Sequence, residues 1–324
     1  MMSNNRLVIV GGGITGVWAA LHARAQGLPV TIISADPLGG LISSVETKSR
    51  DSSVFLSDLG GHVYTLQDKR VAELMEEAGA QYHDRNAVYL GKGGTVPYPV
   101  QDHPDLLGIP IVPQDQQPAS NDLYSWAVSK FGPQFVESWY RPFNQRVWTA
   151  DLEEMSCDWV ASRVKVADQP SQNWGPNSRF AYAPGRDIVA VLSTRMMEAG
   201  LGGPDFLAIH GEVDHVDAKK RVIRVKSGLN HSGILVEYNS LVWTAKPHDL
   251  VASVGLDPSG LVSNTVAVFA IHTEASVHHQ HDWHWAYPDV SAAVHRVTNL
   301  SRYHPSVSSN GSVYIFEVPF REGY

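Results

Sequence analysis

Residues 6–33 read RLVIVGGGITGVWAALHARAQGLPVTII, and this stretch decides the fold class. A short apolar strand runs into the loop GGGITG, and an alanine-rich helix and a second apolar strand follow. Gly11, Gly13 and Gly16 fill the G-x-G-x-x-G pattern. The first glycine allows a tight turn, the second lets the backbone approach a pyrophosphate, and the third lets helix and strand pack closely. The stretch therefore predicts a Rossmann-like α/β unit whose helix N-terminus binds a dinucleotide.

The residues after the second strand bear on which dinucleotide is bound. The acidic residue that usually holds the adenosine ribose is replaced by Ser34, and Asp36 follows two residues later. Either residue could bond the ribose, and the sequence leaves both open. A second glycine pair, Gly39 and Gly40, follows in ADPLGGLISS. Over residues 6–42 the chain resembles flavoproteins of the glutathione-reductase superfamily, in which such a loop lies beneath FAD. This resemblance implies FAD rather than NAD(P).

Size, charge and cysteine content limit the class of protein. With 324 residues, of which 43% are hydrophobic, the chain can bury the core of one large or two ordinary domains. A net charge of -8 argues against a nucleic-acid partner. The single cysteine, Cys157, excludes an internal disulfide framework and is expected to be a buried structural thiol. Because the sequence has no signal-peptide pattern and no apolar run of roughly 20 residues, we expect a soluble, cytoplasmic protein without a membrane partner.

Six further motifs follow along the chain. They are DLGGHV (58–63), VPYPVQ (96–101), RPFNQRVW (141–148), CDWVASRV (157–164), NWGPN (173–177) and WAYPDVSAAVHRVTNLSRYHP (285–305). In this order they resemble the UDP-galactopyranose mutase family, and its eukaryotic branch more closely than its bacterial one. The resemblance implies interconversion of UDP-galactopyranose and UDP-galactofuranose by reduced FAD. The flavin N5 would attack the anomeric carbon and form a flavin–sugar adduct.

The same resemblance assigns residues to the flavin. Gly60 and Gly61 would lie against the isoalloxazine edge, where a side chain would collide with flavin or sugar. His62 would lie on the flavin face away from the substrate and tune the flavin by changing its own charge near neutral pH. The alternative for this stretch is an ordinary Gly-Gly turn followed by a structural histidine. A strand at 212–216 would pass the adenine, with Val213 in contact with it.

A UDP-sugar requires a flat surface for uracil, positive charge for the diphosphate and polar groups around the sugar. The resemblance implies Tyr98 and Trp148 beside the uridine, Gln101 and Asn144 on the base edge, Arg163 and Arg296 on the diphosphate, Tyr287 beside the phosphates and Asn177 at the sugar. Arginine suits the diphosphate because its planar fork of donors binds phosphate in a bidentate manner. With His62, the two arginines are also the predicted catalytic residues. One family aromatic is replaced by Thr65, so one wall of the uridine pocket is expected to differ.

The histidine-rich stretch HHQHDWHW (278–285) raises the question of a metal site. Structural zinc sites are normally closed by a second pair of ligands elsewhere in the sequence, and this chain offers no matching pair. We therefore predict no metal and interpret the stretch as a solvated loop.

The predicted fold is α/β, with a Rossmann-like FAD-binding domain, an inserted helical substrate domain and an additional β-sheet. The FAD-binding domain is expected at 1–64 and 206–260, the mainly helical insert with the UDP site at 65–205, and the sheet at 261–324. Members of the family continue past the end of this sequence, so the sheet domain is expected to be incomplete. Both a truncated product and a divergent protein without mutase activity stay open.

Two rival functions are compatible with the same motifs. The first is an FAD-dependent oxidoreductase of the amine-oxidase type, because this fold carries many chemistries. The second is an inactive homologue that still binds a UDP-sugar. NAD(P)H is a candidate reductant of the flavin, and a homo-oligomer is neither required nor excluded by the sequence.

Overall fold

The computed structural model describes residues 6–48, 53–114, 118, 120–160, 164, 179–227, 230–273, 281–308 and 311–321. The strands are β1 (Leu7–Val10), β2 (Val30–Ser34), β3 (Ser44–Lys48), β4 (Val54–Asp58), β5 (Gln81–Asp84), β6 (Ala87–Gly91), β7 (Gly94–Pro97), β8 (Arg179–Tyr182), β9 (Phe206–His210), β10 (Glu212–Asp217), β11 (Val222–Ser227), β12 (Asn230–Glu237), β13 (Ser240–Trp243), β14 (Thr265–Thr273), β15 (Trp285–Pro288), β16 (Arg296–Asn299) and β17 (Ser312–Phe320). The helices are α1 (Ile14–Ala25), α2 (Lys69–Glu77), α3 (Pro104–Leu107), α4 (Leu123–Phe131), α5 (Pro133–Phe135), α6 (Arg141–Trp148), α7 (Gly185–Glu198) and α8 (Pro247–Ser253), and a π-helical turn, Val136–Tyr140, joins α5 to α6. None of the helices in these ranges combines the length and the apolar character that crossing a bilayer requires.

The chain forms two compact units. The first comprises Met1–Ser44 and Gly185–Val262, and the second comprises Val45–Pro184 and Ser263–Tyr324. These limits differ from the predicted domains in three respects. Residues 45–64 belong to the second unit, and α7 belongs to the first. The C-terminal strands do not stand alone, because they share one sheet with strands from the middle of the chain.

The first unit contains the parallel sheet that the opening stretch predicts. Its strand order is β13-β1-β2-β9, and each neighbouring pair is parallel. The strand at 240–243 returns to the edge of β1, as the short apolar run in YNSLVWTAKP indicates. Small buried residues such as Gly16, Ala20 and Ala23 let α1 pack closely on this sheet. The predicted Rossmann-like α/β fold is confirmed.

A second sheet of the first unit is antiparallel, with strand order β10-β11-β12. The alternating pattern of residues 211–228 predicts its first hairpin and the turn near 218–220, and both are present. Buried Val216, Ile223 and Val225 form one apolar cluster with Val8 and Val10 of β1. The hairpin is therefore packed onto the parallel sheet rather than projecting from it.

The second unit is built on a six-stranded sheet with the order β14-β17-β16-β15-β6-β7. All neighbours are antiparallel except β15 and β6, which are parallel. This parallel pair joins residues 285–288 to residues 87–90. It explains why the last strands belong with the middle of the chain.

Three apolar clusters pack on this sheet, and two of them share partly buried tyrosines. One lies on the strands and includes Phe180, Tyr182 and Trp285, and the other is formed largely by α4, α6 and the π-helical turn. Tyr98 and Tyr287 pack partly buried against both clusters. The helical and strand parts of the second unit therefore meet at these two tyrosines.

Candidate functional site

The glycine loop of the first unit combines tight packing with open space. Gly11 has a φ of +117°, and its N–H donates to the carbonyl oxygen of Ile33 at 2.8 Å. A Cβ on Gly16 would strike the carbonyl oxygen of Gly11, so α1 approaches the loop too closely for any side chain there. A Cβ on Gly13, in contrast, would meet no atom of the described residues within 4 Å, its two chain neighbours aside. The space beside Gly13 is open to a ligand.

Helix α1 begins beside this space. Gly13 occupies the N-cap position without a side-chain hydrogen bond, and no acidic residue lies in the first turn. The first N–H groups of a helix have no intrahelical acceptor, and the dipole favours an anion beside them. An uncapped helix that begins with open space therefore fits the diphosphate of a dinucleotide.

The second predicted glycine pair lies directly on the first loop. The N–H of Gly39 donates to the carbonyl oxygen of Gly12 at 2.9 Å, and Gly39 has a φ of +118°. A Cβ on Gly40 would come within 3.0 Å of the Cα of Gly13. The two backbones are in contact, so a side chain at Gly40 would collide with the backbone of Gly13.

The residues proposed for the ribose and the adenine lie nearby in the same unit. Ser34 ends β2, and its hydroxyl donates to the carbonyl oxygen of Asp36 at 2.7 Å. Because the Ser34 hydroxyl already donates its proton, its oxygen can only accept a hydrogen bond from a ribose hydroxyl. Asp36 is exposed. Val213 is half-buried on β10 against the apolar cluster of β1 and β2.

In the second unit, β4 is followed by the buried pair Gly60 and Gly61. Neither has a positive φ, so close approach and not backbone conformation requires glycine. A Cβ on Gly61 would lie 3.0 Å from Thr298 Cβ, and one on Gly60 would lie 2.8 Å from Cε1 of His62. At Gly61 the side chain of Thr298 leaves no room for a Cβ, and at Gly60 a Cβ would require the His62 ring to move. The resemblance instead implies that the flavin or the sugar excludes side chains here.

Arg296 and Glu317 form the ionic centre of this unit. They are cross-strand neighbours on β16 and β17, and two hydrogen bonds of 2.5 and 2.8 Å join the guanidinium to the carboxylate. Their side chains are 30% and 11% exposed. Burial alone would lower the pKa of Arg296, but the hydrogen bonds and negative charge of Glu317 raise it above its usual value. The N–H of Gly61 also donates to Glu317, at 3.5 Å.

Glu317 is a site residue that the sequence reasoning missed. One signal for it exists, because the carboxylate stands alone in the otherwise apolar strand SVYIFEV. Acidic residues are rarely buried in a strand without a paired cation. That pattern predicts a basic partner on a neighbouring strand, although it does not identify which one.

Two predicted aromatic residues come together beside this pair. The rings of Tyr98 and Tyr287 have centroids 4.3 Å apart at an angle of 34°. Burial raises the pKa of both phenols, and for Tyr287 the positive charge of Arg296 opposes that rise. The structure therefore places Tyr98, Tyr287 and Arg296 in one cluster.

His62 lies next to the same cluster. Burial lowers its pKa, the carboxylate of Asp58 raises it, and the positive charge of Arg296 lowers it further. Asp58 is 4% exposed and accepts a 2.7 Å hydrogen bond from the hydroxyl of Tyr182. The imidazole therefore lies between charges of opposite sign.

Several buried polar atoms of this region have no hydrogen-bond partner among the described residues. They include His62 Nδ1, Thr298 Oγ1 and the hydroxyl of Tyr303. Buried polar groups are almost always paired in folded proteins. Unpaired donors and acceptors beside Gly60 and Gly61 therefore fit a polar, planar group such as the flavin ring system.

The remaining substrate residues are only partly brought together. The side-chain amide of Asn144 donates to the carbonyl oxygen of Tyr140 at 2.8 Å, which leaves the side-chain oxygen for a base edge. Trp148 is 41% exposed, and its ring contacts Trp159 rather than the two clustered tyrosines. Gln101 is buried and Thr65 is half-buried. Arg163 and Asn177 lie outside the described residues.

The cysteine and the histidine-rich stretch offer no further centre. The thiol of Cys157 donates to the side-chain oxygen of Asn121 at 3.0 Å. His284 Nδ1 accepts a 3.1 Å hydrogen bond from the backbone of Asn86. In the described part of the chain, no three His, Cys, Asp or Glu residues are grouped so that they could hold a metal ion, and residues 278 and 279 lie outside that part.

Comparison with known proteins agrees with this architecture. Residues 6–106 match the family model described as FAD dependent oxidoreductase. A structure of reduced UDP-galactopyranose mutase superposes with a TM-score of 0.83 at 21% identity, over 98% of this chain and 75% of that chain. An oxidoreductase from Methanosarcina mazei gives 0.69 at 12% identity, over 98% and 79%. Wild-type putrescine oxidase bound to putrescine gives 0.61 at 14% identity, over 97% and 75%. The chain therefore has the fold of FAD-dependent oxidoreductases.

Proposed function

We propose that the chain is a flavin-dependent UDP-sugar mutase that interconverts UDP-galactopyranose and UDP-galactofuranose. The observation that carries the proposal is the cluster of Tyr98, Tyr287 and Arg296 beside Gly61 and His62. Three separate motifs supply these residues, and each was assigned to one site from the resemblance alone. The TM-score of 0.83 to a mutase, against 0.69 and 0.61 for the two oxidoreductases compared, supports the same choice.

FAD is the proposed cofactor. In the first unit, the N-terminus of α1 and the glycine backbones at 11, 13, 39 and 40 would bind the diphosphate, with Ser34 or Asp36 at the ribose. The resemblance assigns Gly60, Gly61 and His62 to the flavin, and the unpaired polar atoms His62 Nδ1 and Thr298 Oγ1 support that assignment. When bound and reduced, FAD would supply the nucleophile at the anomeric carbon of the sugar.

The residues of the chain would act by binding and by electrostatics. Arg296 would pair with the diphosphate and stabilise the negative charge that develops on UDP when the bond to the sugar breaks. Glu317 holds the guanidinium plane through two hydrogen bonds, so its donors would be oriented before substrate binds. Tyr98 and Tyr287 would provide flat surfaces and phenol donors, and Arg163 stays a predicted second clamp.

His62 would respond to the redox state of the flavin. Its lowered pKa favours the neutral imidazole at neutral pH, and a negative charge on a neighbouring reduced flavin would favour the protonated form. The histidine would thereby stabilise the reduced state by changing its own charge. The test is the flavin potential, which we expect to depend on pH in the wild type and less so in His62→Gln.

An oxidoreductase acting on amines is the second candidate. The superposition on putrescine oxidase over 97% of the chain favours it. An oxidase would reduce its flavin with substrate and consume oxygen in every cycle, whereas a mutase has no net redox change. An inactive UDP-sugar-binding homologue would bind UDP and convert nothing.

The decisive experiment uses the purified, flavin-loaded chain reduced with dithionite. UDP-galactofuranose is added without oxygen, and UDP-galactopyranose is separated by chromatography. We expect product with wild type and with Arg141→Gln, a variant on α6 whose carboxylate partners Glu137 and Glu153 are exposed, and much less with Arg296→Met. Reduced, flavin-loaded wild type that forms no product would refute the proposal, and amine-dependent oxygen consumption would establish the rival.

A further inference from the structure

Arg146 connects α6 to the loop between β15 and β16. Its Nη1 donates to the carbonyl oxygens of Asp289 at 2.7 Å and Ala292 at 3.0 Å, and its Nη2 donates to that of Pro288 at 3.1 Å. One side chain of the helix therefore binds three carbonyls of a short loop. No other residue type offers a planar fork with enough donors for this.

The loop that Arg146 binds separates two predicted substrate residues. Tyr287 directly precedes Pro288, and Arg296 begins β16. The far end of the segment is fixed by β17, because the N–H of His295 donates to the carbonyl oxygen of Glu317 at 2.8 Å. The segment 287–296 is therefore fixed by α6 on one side and by β17 on the other.

A neighbouring residue of α6 contacts the same segment. The ring of Phe143 packs edge-on against Tyr287 at 5.5 Å and against His295 at 5.3 Å. The guanidinium of Arg146 lies 5.7 Å from the centre of the Phe143 ring. The helix thus reaches both ends of the segment, with Arg146 over its middle.

The helix also carries two of the four residues proposed for the uridine. Asn144 and Trp148 lie on α6, on either side of Arg146 in sequence. A UDP-sugar bound to both Asn144 and Arg296 would therefore span the junction that Arg146 forms. Any shift of α6 relative to the loop would change the distance between the base contact and the diphosphate contact.

We infer that Arg146 is a positioning residue of the proposed UDP-sugar site, which sets the spacing between the uridine-binding helix and the diphosphate-binding Arg296. The inference rests on the proposed function. The three carbonyls lose their charged donors when the guanidinium is removed, and the loop then rearranges to satisfy them. Lysine keeps the charge but cannot bind three carbonyls in one plane.

The test is the affinity for UDP relative to uridine, measured by calorimetry on the full flavin-loaded chain. Wild type, Arg146→Gln and Arg146→Lys are compared with Arg141→Gln. Arg141 lies on the same helix but bonds the surface carboxylates of Glu137 and Glu153, so its loss leaves the loop intact. We expect the preference for UDP over uridine to fall by about tenfold, or about 1.4 kcal/mol, in Arg146→Gln and to be partly retained in Arg146→Lys.

A double variant separates positioning from a general loss of stability. If Arg146 acts through Arg296, the Arg146→Gln/Arg296→Met variant will show no lower preference for UDP than Arg296→Met alone. If folded Arg146→Gln has the same preference for UDP over uridine as wild type, the inference is wrong. If the glutamine variant does not fold, the same comparison is made with Arg146→Lys, and an unchanged preference there overturns the inference. Wild type that binds no UDP would overturn the proposed function as well, which distinguishes the two failures.

Discussion

The pairing of Arg296 with Glu317 predicts strong energetic coupling between two strands. Arg296→Met would leave the Glu317 carboxylate, 11% exposed, with the distant N–H of Gly61 as a remaining donor. Removing one partner of a buried pair costs about 3–5 kcal/mol. We expect about 3 kcal/mol here, because Arg296 is 30% exposed and water would reach the vacated space.

The reverse variant and the double variant complete the cycle. Glu317→Leu leaves an arginine that can turn toward water, so its expected cost is about 2 kcal/mol. Arg296→Met/Glu317→Leu leaves no unpaired charge and is expected to lose about 2 kcal/mol in total, which gives a coupling of about 3 kcal/mol. Thermal unfolding is the assay, and for a chain of this length each kcal/mol corresponds to about 1.5 °C.

Two results would refute this reasoning. Losses that add within about 0.5 kcal/mol in the double variant would show that the two side chains do not depend on each other. A coupling energy between the two side chains that falls steeply with added salt would show that ions screen the pair, contrary to its burial. The variant Arg141→Gln, which loses two surface ion pairs, is the control and is expected to change stability by less than about 1 kcal/mol.

Three further predictions follow from the geometry of single residues. Gly61→Ala is expected to displace Thr298 and to lower the melting temperature. The double variant Gly61→Ala/Thr298→Ala should recover part of that loss. If it recovers none, the contact with Thr298 is not the cause. Gly16→Val would force α1 away from Gly11, and we expect the purified variant to lack the flavin absorbance that the proposed function predicts for wild type. Burial, with the positive charges of Arg296 and Arg146, lowers the pKa of His295 to about 3, so the unfolded chain takes up a proton that the folded chain does not. The free energy of unfolding should therefore fall by up to about 1.4 kcal/mol per pH unit as the pH drops below about 6.5. The fall should be smaller in His295→Gln, and melting curves recorded over a series of pH values measure it.

The sequence predicted those parts of the fold that depend on local patterns. The apolar runs around the glycine loop predict β1 and β2, and the alternation in 211–228 predicts the hairpin of β10 and β11. These signals suffice because strand, loop and helix follow one another within a few residues. The parallel pairing of β15 with β6 has no such signal, since its partners are far apart in sequence. The predicted separate domain at 261–324 was wrong for this reason, because its strands join the sheet of the middle of the chain.

In the candidate site, too, the residues in local motifs were predicted and the contacts between distant strands were not. Tyr98, Tyr287 and Arg296 were assigned by motifs, and the structure brings them together. Glu317 and the Thr298 contact of Gly61 were not predicted, because each depends on the register between strands that the sequence does not encode locally. The reason for a glycine can therefore lie in a strand that is remote along the chain.

Strand β14 lies at one edge of the six-stranded sheet of the second unit. Among the described strands it pairs with β17 alone, and its sequence TVAVFAIHT contains no Lys, Arg, Asp or Glu. Successive residues of an antiparallel edge strand direct their N–H groups alternately toward the partner and away from it. Deuterium uptake along 265–273 should therefore alternate between slow and fast amides, and any molecule that adds to this border of the sheet would convert the fast set into slow ones.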